Sequence, residues 1–351
     1  MTGRDHETDA MDVTLVPDIT EVPPAAWEAI AAPAGFYLSH RWLAAQQQDP
    51  TARVRYALVH EGGALVAAAP LYSVDTEPND LYRVPELVPG RAPSRTLLVG
   101  ARRGYLNAPL LHPGLTPDRR REALNHLLRA ACSLAAREGA QPWWLYVTDA
   151  AAAELADACG TEPVRLNEDA RIPLPGDTFE DYLSGLPSSR RTAIRRERRA
   201  FAEAGYELRR LRLSECAEEV GALAAQSQAR HGHPADPAFM ARLFREQAEG
   251  MADSGTVHAA YADGRMAAFS LGYRYADTLW MRASGCDYAR LRGAHEYFNL
   301  VFYVPIEDAC AHGAGALHLG MESLRAKTLR GAVTSPLWAV EAAAPKALLS
   351  S

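Results

Sequence analysis

The sequence predicts an α/β (α+β) protein built from two successive units with the same order of helices and strands. A β-hairpin with a tight glycine turn occurs twice, at residues 54–72 around Gly62-Gly63 and at 256–271 around Asp263-Gly264. Each hairpin follows two helical segments, and strands alternate with helices through the rest of the chain, which is the mark of a duplicated α/β unit. A length of 351 residues suffices for two domains of ordinary size. The apolar share of 48% and the charged share of 23% fit a globular chain. No run approaches the roughly 18 apolar residues of a membrane span.

In the first half, residues 13–16 form a short strand, Pro23-Pro24 opens a helix, and Ser39 caps a second helix carrying Trp42. After the hairpin, the Pro-, Glu-, Asp- and Arg-rich stretch 76–95 reads as a long loop. Short strands at 96–99 and 110–111 flank Arg102-Arg-Gly-Tyr-Leu-Asn-Ala-Pro109. A helix over about 117–138, a strand over 143–147 and a helix over 150–159 follow. The second half repeats the order with helices at 216–230 and 237–249, the second hairpin and a strand at 278–283. A long apolar helix follows at 293–310, in which Pro305 predicts a kink. Strands at 316–319 and 335–340 close this half. The expected domains are therefore 13–166 and 167–351. They follow a disordered tail, 1–12, too polar and acidic for a secretory signal and offering Met11 as an alternative start. The five cysteines are scattered, odd in number and without CxxC spacing, which predicts free thiols in the cytoplasm and no zinc site. His231-Gly-His233-Pro234 has no carboxylate or cysteine partner nearby and reads as a loop.

Charge is distributed unevenly. Asp177 and Glu180 give a capping-box-like helix start between the halves, and a second helix follows Ser189 and ends near Gly205. At 100° per residue, Ile194, Ala200, Phe201 and Ala204 share one face of it, and Arg191, Arg195, Arg196, Arg198 and Arg199 fill the other. Residues 190–212 hold nine arginines and three glutamates in a chain of net charge -6. Of the 37 basic residues only two are lysines, Lys327 and Lys346. A lysine is a compact point charge on a flexible stem and can reach a single developing oxyanion, whereas a guanidinium is a planar fork. The alternative for Lys327 is an ordinary solvated side chain.

Three stretches carry a family resemblance. Leu186-Pro-Ser-Ser-Arg-Arg-Thr-Ala-Ile-Arg-Arg-Glu-Arg198 resembles the "LSSRKRKNIRRER"-type signature of FemAB-like proteins of peptidoglycan biosynthesis, and the linker of the BioF2-like acetyltransferases. Trp280-Met-Arg-Ala-Ser-Gly-Cys286, with the helix carrying Phe298, Tyr303, Ile306 and Glu307, resembles the next block of that family. Residues 320–331 resemble its closing "G…K…RG" motif, with Lys327, Arg330 and Gly331 in register. Asn299 stands where the family tends to have Glu, and Ala326 where it tends to have His, which bears on the acceptor more than on the fold. No coiled-coil arm is inserted.

The resemblance implies two tandem GNAT-like acyltransferase domains joined by the Arg-rich helical linker. It implies an aminoacyl-tRNA donor and an amine or hydroxylamine-like acceptor on a small metabolite or cell-wall precursor. Two alternatives stay open: the same fold with a CoA thioester as co-substrate, and a non-catalytic double-GNAT scaffold. No metal, membrane or DNA is expected. Acyl transfer needs a place for the amine's proton and stabilisation of the tetrahedral oxyanion. Lys327 is the candidate for the oxyanion or the terminal ribose-phosphate, Glu322 for the base, and Ser284 sits at the expected break in the strand before the long helix. Tyr105, Asn107, Arg282, Tyr303 and Arg330 are the candidate substrate-binding residues, although Tyr105-Leu-Asn107 is equally a plain turn. Arg191, Arg195, Arg198 and Arg199 are candidates to hold the tRNA acceptor stem, against a merely solvated face. Arg290-Leu-Arg292-Gly293-Ala-His295 partly matches the Q/R-x-x-G-x-G/A pyrophosphate loop of acyl-CoA users, with His295 at the place of the small residue. An ordinary helix start is the other reading. No Ser-His-Asp or Cys-His arrangement is legible, so no covalent enzyme intermediate is expected.

Overall fold

The computed structural model describes residues 10–91, 94–230, 232–233 and 235–345. Residues 1–9 of the expected tail, His231 and Pro234 of the His-Gly-His-Pro loop, and Lys346 lie outside the described residues. The chain forms two compact units. The first comprises residues up to 167 together with those from 335 onward, and the second comprises 168–334.

In the first unit the sheet runs Met11–Val16, Arg53–Glu61, Ala64–Val74, Thr96–Val99, Gln141–Thr148, Val333–Glu341. Its first strand starts at Met11, inside the expected tail. The helix Pro117–Glu138 begins under a Thr116 cap with Pro117 at its first position and stops at Gly139, which is left-handed. Its apolar stripe, Leu124, Leu127, Leu128 and Leu134, packs with Val59, Leu97 and Trp144 in one core. The expected loop at 76–95 is shorter than it reads, because Asn79 caps a turn at Asp80–Tyr82 and a short helix follows at Val84–Leu87.

In the second unit the order is Val164–Pro173 (from residue 168), Ala316–Gly320, Thr278–Cys286, Arg265–Tyr275, Gly255–Ala262, Glu207–Arg212. The expectation that a strand at 335–340 closes this half is corrected. That strand pairs antiparallel with Gln141–Thr148, Leu337 opposite Thr148 and Glu341 opposite Trp143. Conversely, Ile172 lies opposite Leu317 at the start of the second unit. The first unit is thus completed by a strand from the far end of the sequence, while the second is closed by the strand that opens its own segment. Local alternation specifies which face a strand buries but not which edge it joins, so the pattern alone placed it wrongly.

The kink expected at Pro305 takes another form. Helical pairing switches to the π pattern over Asn299–Tyr303, directly before the helix Val304–Ala311 that contains Pro305. Proline lacks the N–H that regular pairing would use, and a π turn absorbs the mismatch. Among the described residues no helix is long and apolar enough to cross a membrane.

The two units differ in one lane of their sheets. In the first, Thr96–Val99 and Leu110–Leu111 both pair with Ala64–Val74, as two pieces of one interrupted strand. Asn107 rejoins the neighbouring strand in a parallel bridge to Val147. Gly100, with φ +88°, opens the excursion between the pieces, and a Cβ there would lie 2.1 Å from the Asn107 Oδ1. Gly100→Ala combines a left-handed backbone with a clash and should cost roughly 3 kcal/mol, seen as a lower Tm without loss of the folded baseline.

Candidate functional site

The second unit's sheet opens where the first unit's stays zipped. Thr278–Cys286 and Ala316–Gly320 run parallel but pair over only three residues, ending at Trp280 opposite His318. Beyond that point the first strand stays bound to Arg265–Tyr275 on its other side, with Leu271 opposite Ala283 and Gly272 opposite Met281. Arg282 is left as the extra residue of a β-bulge, which turns the strand locally. The break expected at Ser284-Gly285 is therefore displaced to Arg282. Gly285 serves packing, since a Cβ there would meet the Leu223 backbone at 2.8 Å. Ser284 is exposed and lies opposite Ser270.

At the last closed pair, the His318 ring tilts against Trp280 with centroids 4.2 Å apart. His318 Nε2 lies 2.8 Å from Asp169 Oδ1, and both residues are buried. The strand then ends at Gly320 (φ +66°), and Glu322 (φ +64°) and Ser323 (φ +47°) are also left-handed. Glu322 is exposed in this turn.

Lys327 is 4% exposed, so it is not a solvated lysine. Its Nζ donates to the carbonyls of Leu319 (2.8 Å), Gly320 (2.8 Å) and Met321 (2.5 Å). An ammonium has three protons, and all three are used. Burial pushes its pKa down to about 8. The Asp169 and Glu322 carboxylates act the other way by favouring the charged form, and a neutral amine could satisfy only two of the three carbonyls. The expected oxyanion donor is thus committed to the backbone bordering the open lane. The sequence could flag the residue but not show that its partners were main-chain atoms.

Arg330 and Tyr303 are likewise interior, not substrate-facing. Arg330, 2% exposed, donates to Glu197 Oε2 (2.8 Å), Tyr303 Oη (2.8 Å) and the Ala326 carbonyl (3.0 Å), and its guanidinium sits 3.5 Å over the Phe298 ring. Tyr303 also donates to Glu197 Oε2, and burial beside that carboxylate pushes its phenol pKa up. Asn299 Nδ2 donates to the Glu197 carbonyl (3.3 Å). Glu197 was legible as an exception: it falls on the Ile194–Phe201 face of an otherwise arginine-rich helix, and all three are buried.

The Arg-rich helix Ser188–Glu203 is less free than its sequence suggests. Arg191 donates to the Leu186 carbonyl (2.6 Å), Arg195 pairs with Glu180 (2.6 Å), and Arg198 pairs with Glu307 (2.7 Å) over the Phe179 ring. Arg199 and Arg196, the latter outside the expected set, are exposed and lack a side-chain partner among the described residues.

The partial pyrophosphate loop is occupied from within. The buried Glu296 carboxylate accepts the backbone N–H groups of Arg292 (2.7 Å) and Ala294 (3.1 Å), while Tyr206 Oη accepts from Arg292 N as well (2.9 Å). These are the donors a phosphate would need. The sequence reading overlooked Glu296, although its place at the start of the helix was a signal.

In the first unit, Asn107 is 1% exposed and its side chain is internally satisfied. Tyr105 is half-buried against Tyr82 and Tyr146, with ring centroids 5.8 and 5.6 Å away. Among the described residues no three His, Cys, Asp or Glu side chains cluster as a metal site requires.

Lys327→Met should lower stability by about 3 kcal/mol, because three buried carbonyls lose a charged donor, and Lys327→Arg should not restore it. Chemical denaturation measures both. Glu197→Ala strands the Arg330 charge and should cost about 4 kcal/mol, whereas Glu197→Leu combined with Arg330→Met should cost clearly less.

The family model for FemAB-like proteins of peptidoglycan biosynthesis/recognition matches residues 111–349. No curated protein matches the chain. Among solved structures, FemX is similar over 93% of this chain and 96% of its own, at 12% identity and a TM-score of 0.62. The C-terminal domain of a lysylphosphatidylglycerol synthetase from Agrobacterium fabrum, whose assignment is itself provisional, covers 90% of each chain at 13% identity and a TM-score of 0.56. A tandem GNAT protein from the clavulanic acid biosynthesis pathway covers 95% of this chain and 99% of its own, at 15% identity and a TM-score of 0.54. At these identities the structures establish the fold, two tandem GNAT-like domains. The family match spans well over half of the sequence, and the chain belongs to the FemAB-like family.

Proposed function

We propose that the protein is an acyltransferase that moves an aminoacyl group from aminoacyl-tRNA to an amine on a small metabolite or cell-wall precursor. The carrying observation is the open lane of the second unit, where parallel strands part after Trp280 and His318 and leave main-chain groups without a strand partner. Main-chain N–H groups on the lane side of residues 281–285 would receive the ester carbonyl and stabilise its tetrahedral oxyanion. The acceptor nitrogen attacks the ester carbon, the C–N bond forms, and the C–O bond to the ribose breaks. Glu322, exposed in the turn that follows the lane's border, takes the amine proton and passes it to the departing ribose oxygen, which leaves as the hydroxyl. Lys327 acts as a positioning residue that holds the carbonyls of that border, and Arg330 and Tyr303 act the same way on the helix beside it.

The occupied helix start favours this donor over a CoA thioester. A pyrophosphate arriving at Arg292 and Ala294 would have to displace a buried carboxylate from both N–H groups. The unpartnered Arg196 and Arg199 supply phosphate contacts for an RNA stem on the face where Arg191, Arg195 and Arg198 are tied down.

Coenzyme A should leave Tm unchanged, while tRNA should bind with a steep salt dependence. Replacing Arg196 and Arg199 with Gln should reduce the slope of log K against log salt by about 2. Stabilisation by coenzyme A, or an unchanged slope, would reverse the choice of donor.

A further inference from the structure

We infer that the chain has one donor seat, in the second unit, and that the corresponding lane of the first unit is permanently filled by its own residue Asn107. The meaning of the seat rests on the acyl-transfer reading; the filled lane stands on geometry alone.

Asn107 makes five hydrogen bonds within that lane. Its N–H donates to the Tyr146 carbonyl (3.0 Å), and its own carbonyl accepts from Thr148 N (3.3 Å). Its Oδ1 accepts from Ala101 N (3.2 Å), and its Nδ2 donates to the Val99 (3.0 Å) and Leu145 (3.2 Å) carbonyls. These are the main-chain groups, on both borders, that an extended ligand entering between the strands would have to pair with. One residue supplies a strand-like backbone and a side-chain amide together. It is buried, and Gly100 has no Cβ because Asn107 occupies that space. Tyr146, at φ +57°, bends the facing strand around it.

The second unit has no counterpart among the described residues. Past Trp280 and His318 nothing pairs between the two strands, and the carbonyls at the end of Ala316–Gly320 are gathered by Lys327 from their own C-terminal side. The two units share strand order but differ in whether this lane is free. A donor whose carbonyl must lie between splayed strands therefore has one place to go.

Hydrogen exchange on the full chain, free and with puromycin (an amide-linked, non-transferable analogue of an aminoacylated adenosine), tests this. In the free chain the amides of Ala101, Asn107 and Thr148 should exchange at least about 100-fold more slowly than exposed loop amides, as members of the sheet. The lane-facing amides within 281–285 and 319–323 should exchange faster and slow down when puromycin is added, with no change at 96–111. Fast exchange at Asn107 in the free chain overturns the filled lane, and puromycin protection at 96–111 overturns the single seat. Slow exchange at Asn107 with no puromycin effect anywhere supports the filled lane and overturns the transfer reading instead.

Discussion

A carboxylate and a guanidinium taken out of water each lose several kcal/mol of hydration, and only close mutual pairing repays it. Glu197 and Arg330 meet that condition through a direct ion pair, a shared phenol in Tyr303 and an aromatic ring under the guanidinium. The partners come from three places: the Arg-rich helix, the π turn and the chain's closing motif. Neither the Arg-rich helix nor the closing motif can shift without stranding a charge, and moving the π turn removes the phenol that bonds both. Arg330 also fixes the main chain, because Tyr182 donates to its carbonyl (2.9 Å). Arg330 N also donates to the Lys327 carbonyl (2.9 Å), which joins this assembly to the residue that gathers the carbonyls at the lane's end.

Lys327 extends the same logic. A strand end that parts from its neighbour leaves carbonyls unpaired, and buried carbonyls need donors. One ammonium answers three of them, which a neutral side chain could not do. Arginine fails for a geometric reason, since its donors lie in one plane and point apart. The scarcity of lysine in the chain thus has a structural meaning at this position.

Much of the fold was legible because hairpins and capped helices are local. The Asp263-Gly264 turn, the Ser39 cap and the helix Pro117–Glu138 lie where their sequences place them. The partner of the last strand was not legible, because alternation in Val333–Glu341 does not name the strand it meets. The site divides in the same way. The rarity of lysine singles out Lys327 and the family resemblance singles out Arg330 and Tyr303, but burial turns all three from expected site contacts into supports. Glu296 and Asn107 could be judged only with their hydrogen-bond partners in place, since their roles depend on which amides stand opposite.

The late closing strand of the first unit bears on how the chain acquires its shape. Trp338 Nε1 bonds Asp149 across 189 residues of sequence, and the strand around Trp338 completes the first sheet. Contacts of such span carry a loop-closure entropy that nearer pairs do not. During synthesis the first sheet therefore waits, one edge uncovered, until the chain has been made through residue 341. An uncovered edge is a template for pairing with other chains. The late strand thus makes this protein's assembly cooperative across its whole length, and its nascent form is the stage most exposed to misassociation.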